Sequence, residues 1–271
     1  MTTPAISYQL YSSRNFPDLK RQTDMLAKIG LKHVEPFGGL FADAGALAGL
    51  KEALAENGLT APTAHVGAPS WRSDFDGVAR SLEALGVQTA FMPAVPPAER
   101  EQDRAGWERL GQELEGYARR MKDHGIRFGW HNHAFELVRL PDGSMPLEWI
   151  LGENPDVLWQ VDLAWAVRGG QDPAALIERY RDRVASFHVK DIAPEGQAVH
   201  EDGWADVGHG TLDWTRLLPV MRATPATVWV LEHDNPNDDA RFATRSFATV
   251  SSWRARRRRS GTPRPASSAW A

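Results

Sequence analysis

Residues 128–136 read FGWHNHAFE, so His131, Asn132, His133 and Glu136 crowd together directly after a short β-rich run. Polar side chains at a strand end either decorate a solvated loop or converge as nitrogen and oxygen donors on a metal or a reacting group. Other β-rich runs end similarly, in Glu35, in His65, in Asp162, in His188 with Lys190, and in Glu232 followed by His233 and Asp234. Carboxylates combined with imidazole are hard to borderline ligands, suited to Mn²⁺, Mg²⁺, Co²⁺ or Zn²⁺. The chain has no cysteine, so a metal would be held by His and carboxylate alone. Such an ion polarises a carbonyl and holds a neighbouring hydroxyl, and a flanking carboxylate or imidazole can take a proton and return it. The chemistry implied is proton abstraction next to a carbonyl, of which isomerisation, epimerisation and dehydration are branches.

Eight β-rich runs are legible, at residues 6–10, 32–37, 60–65, 89–93, 127–131, 157–162, 184–190 and 227–232. Between them lie amphipathic stretches such as DLKRQTDMLAKIG and GALAGLKEALAENG, each closed by a glycine suited to a helix C-cap. Trp107, Leu110, Leu114, Tyr117 and Met121 recur at helical spacing, and Asp172–Pro173 opens a further helix. Strict alternation of strand and helix implies parallel strands joined by right-handed crossovers. Eight such units in 271 residues match a (β/α)8 TIM barrel. A doubly wound open sheet would usually show a glycine-rich phosphate loop after its first strand, whereas QLYSSRNFPDLK contains no glycine. In a barrel the C-terminal strand ends share one rim, and six of the eight runs deliver an ionisable group there.

The strings GWHNHAFEL, VDLAWAVRGG, FHVKD, DVGHGTLDW and VLEHDNP resemble the xylose-isomerase-like sugar phosphate isomerase/epimerase superfamily, in the family's order, over roughly residues 5–250. The resemblance implies a divalent ion, Mn²⁺ foremost, held by four residues from strands 5 to 8. Carried over, three of these are Asp162, His188 and Glu232. Epimerases of the family have a glutamate three residues before the strand-5 asparagine, and Gly129 stands there. The nearest substitute is Glu136, with His131 or His133 in reserve. The resemblance further implies Glu136, Glu232 and His65 as proton-transfer groups. Glu35, His131, His133, Lys190, His209 and Trp165 are the substrate-facing residues it suggests, with Trp71 and Trp204 as further apolar walls.

Each residue has a plainer reading. Asp162 could cap the next helix, although Asp172 is available for that. His65 could be a buried histidine bonded to a carbonyl, and Lys190 could simply pair with Asp191. Glu136 could be a surface residue of its loop, and several of the 11 tryptophans must be core.

The net charge of −4 conceals an asymmetry: six arginines and no acid follow from Arg254, leaving the preceding 253 residues at −10. A body that acidic repels a phosphate backbone, which argues against nucleic acid as partner and against an endonuclease-IV-like zinc nuclease, the main alternative. A catalytically inactive binding barrel is a further alternative, disfavoured by the nearly full ligand set. No apolar run reaches the ~18 residues of a membrane span, and the opening MTTPAISYQL lacks a secretory pattern, so a cytoplasmic location is expected. The expected organisation is a catalytic barrel over 1–252 and an Arg/Ser/Pro-rich disordered tail over 253–271, with no function assigned to the tail. The expected partner is a small carbohydrate, and a homo-oligomer is compatible with the sequence.

Overall fold

The computed structural model describes residues 3–100 and 103–255. Eight strands form one sheet: β1 (Ala5–Gln9), β2 (His33–Glu35), β3 (Thr63–His65), β4 (Thr89–Met92), β5 (Arg127–His131), β6 (Val157–Asp162), β7 (Val184–Val189) and β8 (Val228–Leu231). Their spatial order is β2-β1-β8-β7-β6-β5-β4-β3, and every neighbouring pair is parallel. Between β2 and β3 the ring is nearly closed by single bonds, Val34 N to Thr60 O at 2.9 Å and His65 N to Pro36 O at 2.9 Å. The expected (β/α)8 barrel is therefore the fold.

Strands β5 and β6 occupy the residues expected of them, whereas β2 and β3 are only three residues long. Proline explains the trimming. Pro36 and Pro62 have no N–H to donate, so the ladder stops before the first and starts after the second.

Helices cover the outside: α1 (Leu19–Ile29), α2 (Ala44–Glu56), α3 (Ala68–Ser73), α4 (Phe75–Leu85), α5 (Arg104–Asp123), α6 (Pro146–Leu151), α7 (Leu163–Arg168), α8 (Pro173–Arg179), α9 (Trp214–Arg222) and α10 (Asp239–Ala255). Aspartate recurs as their N-cap. Asp18, Asp43, Asp74, Asp103, Asp162, Asp172 and Asp213 each accept from a backbone N–H of the first turn. This satisfies donors that the helix itself leaves orphaned. At the other end of α1, Gly30 takes the left-handed conformation expected of a glycine stop, at φ 104°. Helix α10 runs three residues past the expected domain boundary, and the rest of the Arg-rich tail, 256–271, lies outside the described residues. No helix among the described residues is long and apolar enough to cross a membrane.

The strands alternate their side chains, and the alternation separates two environments. Outward-facing Phe128 and Trp159 pack against helical and inter-helical aromatics, with ring centroids 5.2 Å from Trp71 and 5.7 Å from Tyr180. Trp71 is thus a core residue, buried and donating its indole N–H to Val66 O at 3.0 Å, and it does not line the site. The opposite parity carries polar groups towards the C-terminal end of the barrel interior.

Candidate active site

A polar floor crosses the barrel at the level of Glu35, which is fully buried. Its Oε1 accepts from Gln9 Nε2 at 2.8 Å and from His188 Nε2 at 2.6 Å, and its Oε2 accepts from Gln160 Nε2 at 2.8 Å. His65 Nε2 lies 3.2 Å from the same Oε1 and 2.5 Å from Gln160 Oε1. Burial works to raise the Glu35 carboxyl, but the His65 and His188 imidazoles beside it hold it at about 2. A carboxylate can only accept, so His188 must carry its proton on Nε2, and Nδ1 is left with a bare lone pair.

That lone pair faces the other half of the site. His188 Nδ1 lies 3.9 Å from Asp162 Oδ2, and both atoms are buried with no hydrogen-bond partner among the described residues. A register shift between Trp159 and Gln160 sets Asp162 opposite His188 across the β6–β7 ladder. Ligand atoms of Asp162, His188 and Glu232 all lie within 4.8 Å of one another. Asp162 also caps α7, accepting Trp165 N on Oδ1 at 2.8 Å. Capping and an open second oxygen therefore coexist in one carboxylate, where the sequence suggested a choice between them.

Burial pushes Asp162 up to about 7, with Lys190 opposing, and burial together with Asp234 pushes Glu232 well above the usual carboxylate range. Burial likewise drives the imidazoles down, His188 to about 4 and His133 to about 3, so they are neutral donors of lone pairs at pH 7. Buried carboxylates, Asp162 Oδ2 among them without a hydrogen-bond partner, and neutral imidazole nitrogens converge within one buried volume, which is the donor set a divalent cation requires. The residues present fit such an ion.

Lys190 stands beside this group, fully buried. It is 2.9 Å from Glu232 Oε2 and hydrogen-bonded to Asp234, rather than to the Asp191 that the sequence offered as its structural partner. Its ammonium lies 3.8 Å from the ring centre of Trp204 and 4.9 Å from that of Trp165. Two carboxylates and two aromatic faces account for a buried cation there. Asp191 instead accepts from Gly208 N, Leu212 N and Trp214 Nε1, which ties down the loop beyond β7.

Above these groups opens a cavity of about 610 Å³, lined by His65, His131, His133, Trp165, His188, Glu232 and Asp234, with Tyr11, Phe37 and Arg100 among the residues of its wall. Glu35 and Lys190, expected to face the substrate, and Trp204, expected as a wall, are buried and do not line this cavity, and two further expected site residues are elsewhere. His209 is exposed on its loop and does not line the cavity. Glu136 is buried, but its Oε1 accepts from Trp130 Nε1 at 3.1 Å and its Oε2 from His133 N at 2.9 Å. Trp130 belongs to the outward face of β5, so the Glu136 carboxylate is turned away from Asp162, His188 and Glu232. It braces the loop, and its expected ligand and proton-transfer roles do not match this placement.

The HNHAFE string therefore divides. His131 and His133 face the cavity. Asn132 straps β5 to β6, its Oδ1 accepting from Trp159 Nε1 and from Asp162 N, each at 3.0 Å. Gln9 and Gln160 were not anticipated, although each falls on the inward parity of its strand, Gln160 two residues before Asp162. An uncharged amide on that parity was the available signal.

Three comparisons bear on relationship. Inosose dehydratase of Lacticaseibacillus casei is 26% identical over 141 residues, a match covering 46% of this chain and 46% of that protein, so the chain spans about half the length of the curated relatives it matches. Among solved structures, a sugar phosphate isomerase/epimerase from Parabacteroides distasonis superposes with a TM-score of 0.74 at 21% identity, covering 92% of this chain and 94% of the other. The IolI protein, crystallised with a zinc atom, superposes with a TM-score of 0.71 at 13% identity, covering 92% and 97%. At these identities the superpositions show a shared fold. The model of the xylose isomerase-like TIM barrel family matches residues 23–250, most of the chain, and the protein belongs to that family.

Proposed function

We propose that the protein is a divalent-metal-dependent isomerase, epimerase or dehydratase that removes a proton next to a carbonyl of a sugar, inositol or keto-sugar. The observation that carries this reading is the convergence of Asp162 Oδ2, His188 Nδ1 and Glu232 at the base of the cavity, with Glu35 fixing the His188 tautomer. Asp162, His188 and Glu232 would hold the ion, and a carboxylate partner behind a ligating imidazole orients it and raises its basicity. When bound, the ion supplies Lewis acidity that stabilises negative charge developing on a substrate oxygen.

The protein's own groups supply the remaining tasks. His65 donates Nε2–H to Gln160 Oε1, because the Gln160 amide nitrogen is already donating to Glu35 and to Ser186 Oγ. In the neutral ring Nδ1 is then the acceptor, His65 lines the cavity, and His65 and Glu232 are the groups proposed to take and return the proton. Lys190, buried beneath the cavity, would steady the Glu232 carboxylate through its ion pairs with Glu232 and Asp234, and Trp165 offers an apolar face to a sugar ring. The resemblance to inosose dehydratases supports a polyhydroxylated substrate. An acidic body supports this reading over cleavage of nucleic acid.

The test is elemental analysis of the purified protein beside Asp162→Asn, followed by solvent deuterium incorporation into sugars, inososes and keto-sugars. About one divalent ion per chain in the wild type is expected, with metal and exchange both lost in the variant. A variant retaining full metal and full exchange would remove the reading.

A further inference from the structure

The group formed by Asp162, His188 and Glu232 offers three protein ligands. We propose that His131, through Nδ1, is the fourth protein ligand, which makes the centre one of two imidazoles and two carboxylates. The proposal rests on the metal reading above and specifies which ion the site prefers.

Strand β5 and the turn after it offer four positions from which a fourth ligand could come, Gly129, His131, His133 and Glu136, and two of them are closed. At Gly129 a Cβ would stand 2.3 Å from the carbonyl oxygen of Leu158, and the obstacle is backbone of the paired strand, so no side chain can project there. At Glu136 both carboxylate oxygens are occupied by N–H donors on the far side of the strand. His131 and His133 remain, and of these His131 is the one grouped with His188. His131 is 3% exposed, and its Nδ1 is buried with no hydrogen-bond partner among the described residues. Its ring centre is 4.3 Å from that of His188, and the two residues belong to a second group, with His65, whose ligand atoms lie within 4.8 Å of one another. His65 shares that group, but its Nε2 is committed to the polar floor through Gln160 and Glu35, and its Nδ1 is the acceptor assigned above to proton transfer. A buried imidazole nitrogen without a partner is costly unless something binds it.

Exchanging a carboxylate for an imidazole changes ion selectivity. Mg²⁺ and Mn²⁺ favour oxygen ligands, whereas Zn²⁺ and Co²⁺ suit imidazole better, and along the first-row series Mn²⁺ is the weakest binder, affinity rising through Co²⁺ to a maximum at Cu²⁺ before falling at Zn²⁺. The structure thus points to zinc or cobalt rather than the manganese expected from the sequence.

The experiment is competition titration of the metal-stripped full chain with Zn²⁺, Co²⁺ and Mn²⁺ against a chromophoric chelator. His131→Gln, His133→Gln and His65→Gln are run in parallel, with circular dichroism as the folding check. Zinc affinity is expected to fall at least about tenfold in His131→Gln while Mn²⁺ affinity changes far less, narrowing the selectivity between them. X-ray absorption of the zinc-loaded wild type provides a readout independent of any variant, and two imidazoles per zinc are expected, both retained in His133→Gln and His65→Gln. One imidazole per zinc, or a His131→Gln variant binding zinc within about twofold of wild type, overturns the assignment while leaving the metal reading standing. A wild type that binds none of the three ions overturns both.

Discussion

Two polar clusters sit one above the other inside the barrel, and they are built on opposite principles. In the lower one Glu35, Gln9 and Gln160 use all their carboxylate and amide groups: each oxygen accepts and each amide nitrogen donates. In the upper one Asp162 Oδ2, His188 Nδ1 and His131 Nδ1 are buried with no hydrogen-bond partner among the described residues. Burying a polar group without a partner costs about 1–3 kcal/mol, so the open layer carries a stability cost that the proposed ion would offset. His188 joins the two layers, one ring nitrogen in each. The lower cluster is the support that holds the upper one in shape.

Breaking the support should therefore damage the upper cluster without touching it. In Glu35→Gln the carboxylate that fixes the His188 tautomer is gone, and metal affinity is expected to fall by about 10–100-fold, the usual cost of losing such a partner. Chelator competition measures it directly. An unchanged affinity would mean that the two layers are independent.

A smaller effect is expected at Glu136, the carboxylate whose two oxygens are satisfied outside the site. Metal content should be retained in Glu136→Gln, while the amide, facing two N–H donors, costs about 1–3 kcal/mol of stability at pH 5. Burial raises the Glu136 carboxyl from its ordinary 4.5 to about 8. With the folded value above the unfolded one, the unfolded chain releases this proton first, so wild-type stability declines as pH rises from about 4.5 towards 8. The variant lacks this titration. Urea midpoints at pH 5 and pH 8 should accordingly shift in the variant's favour, and a pH-independent difference would show that the two donors keep Glu136 ionised throughout.

The smallest effect is expected at His209. It is exposed and away from the cavity, so His209→Ala should alter stability by no more than about 0.5 kcal/mol and leave metal binding unchanged. A clear loss of either would place its loop over the site.

Much of this molecule is legible in its sequence because the barrel converts one-dimensional order into position. Alternating runs specify parallel strands, and their last residues must then meet at one rim, which is how Glu35, His65, His131, Asp162, His188 and Glu232 could be selected together. What failed to be legible depended on distances between segments that sequence spacing does not encode. Glu136 is five residues from His131, yet a short turn sends its carboxylate back to Trp130 on the opposite face of β5. Asp162 has two oxygens, and only the packed start of α7 shows that one caps while the other is free. Gln9 and Gln160 carry no charge to mark them, and they acquire meaning only where the curvature of the sheet brings β1, β2 and β6 around one carboxylate. The sequence by itself determined the fold and the rim. The tertiary structure decided which rim atoms are spent on holding the barrel together and which are left open, because hydrogen-bond satisfaction is a property of the three-dimensional neighbourhood.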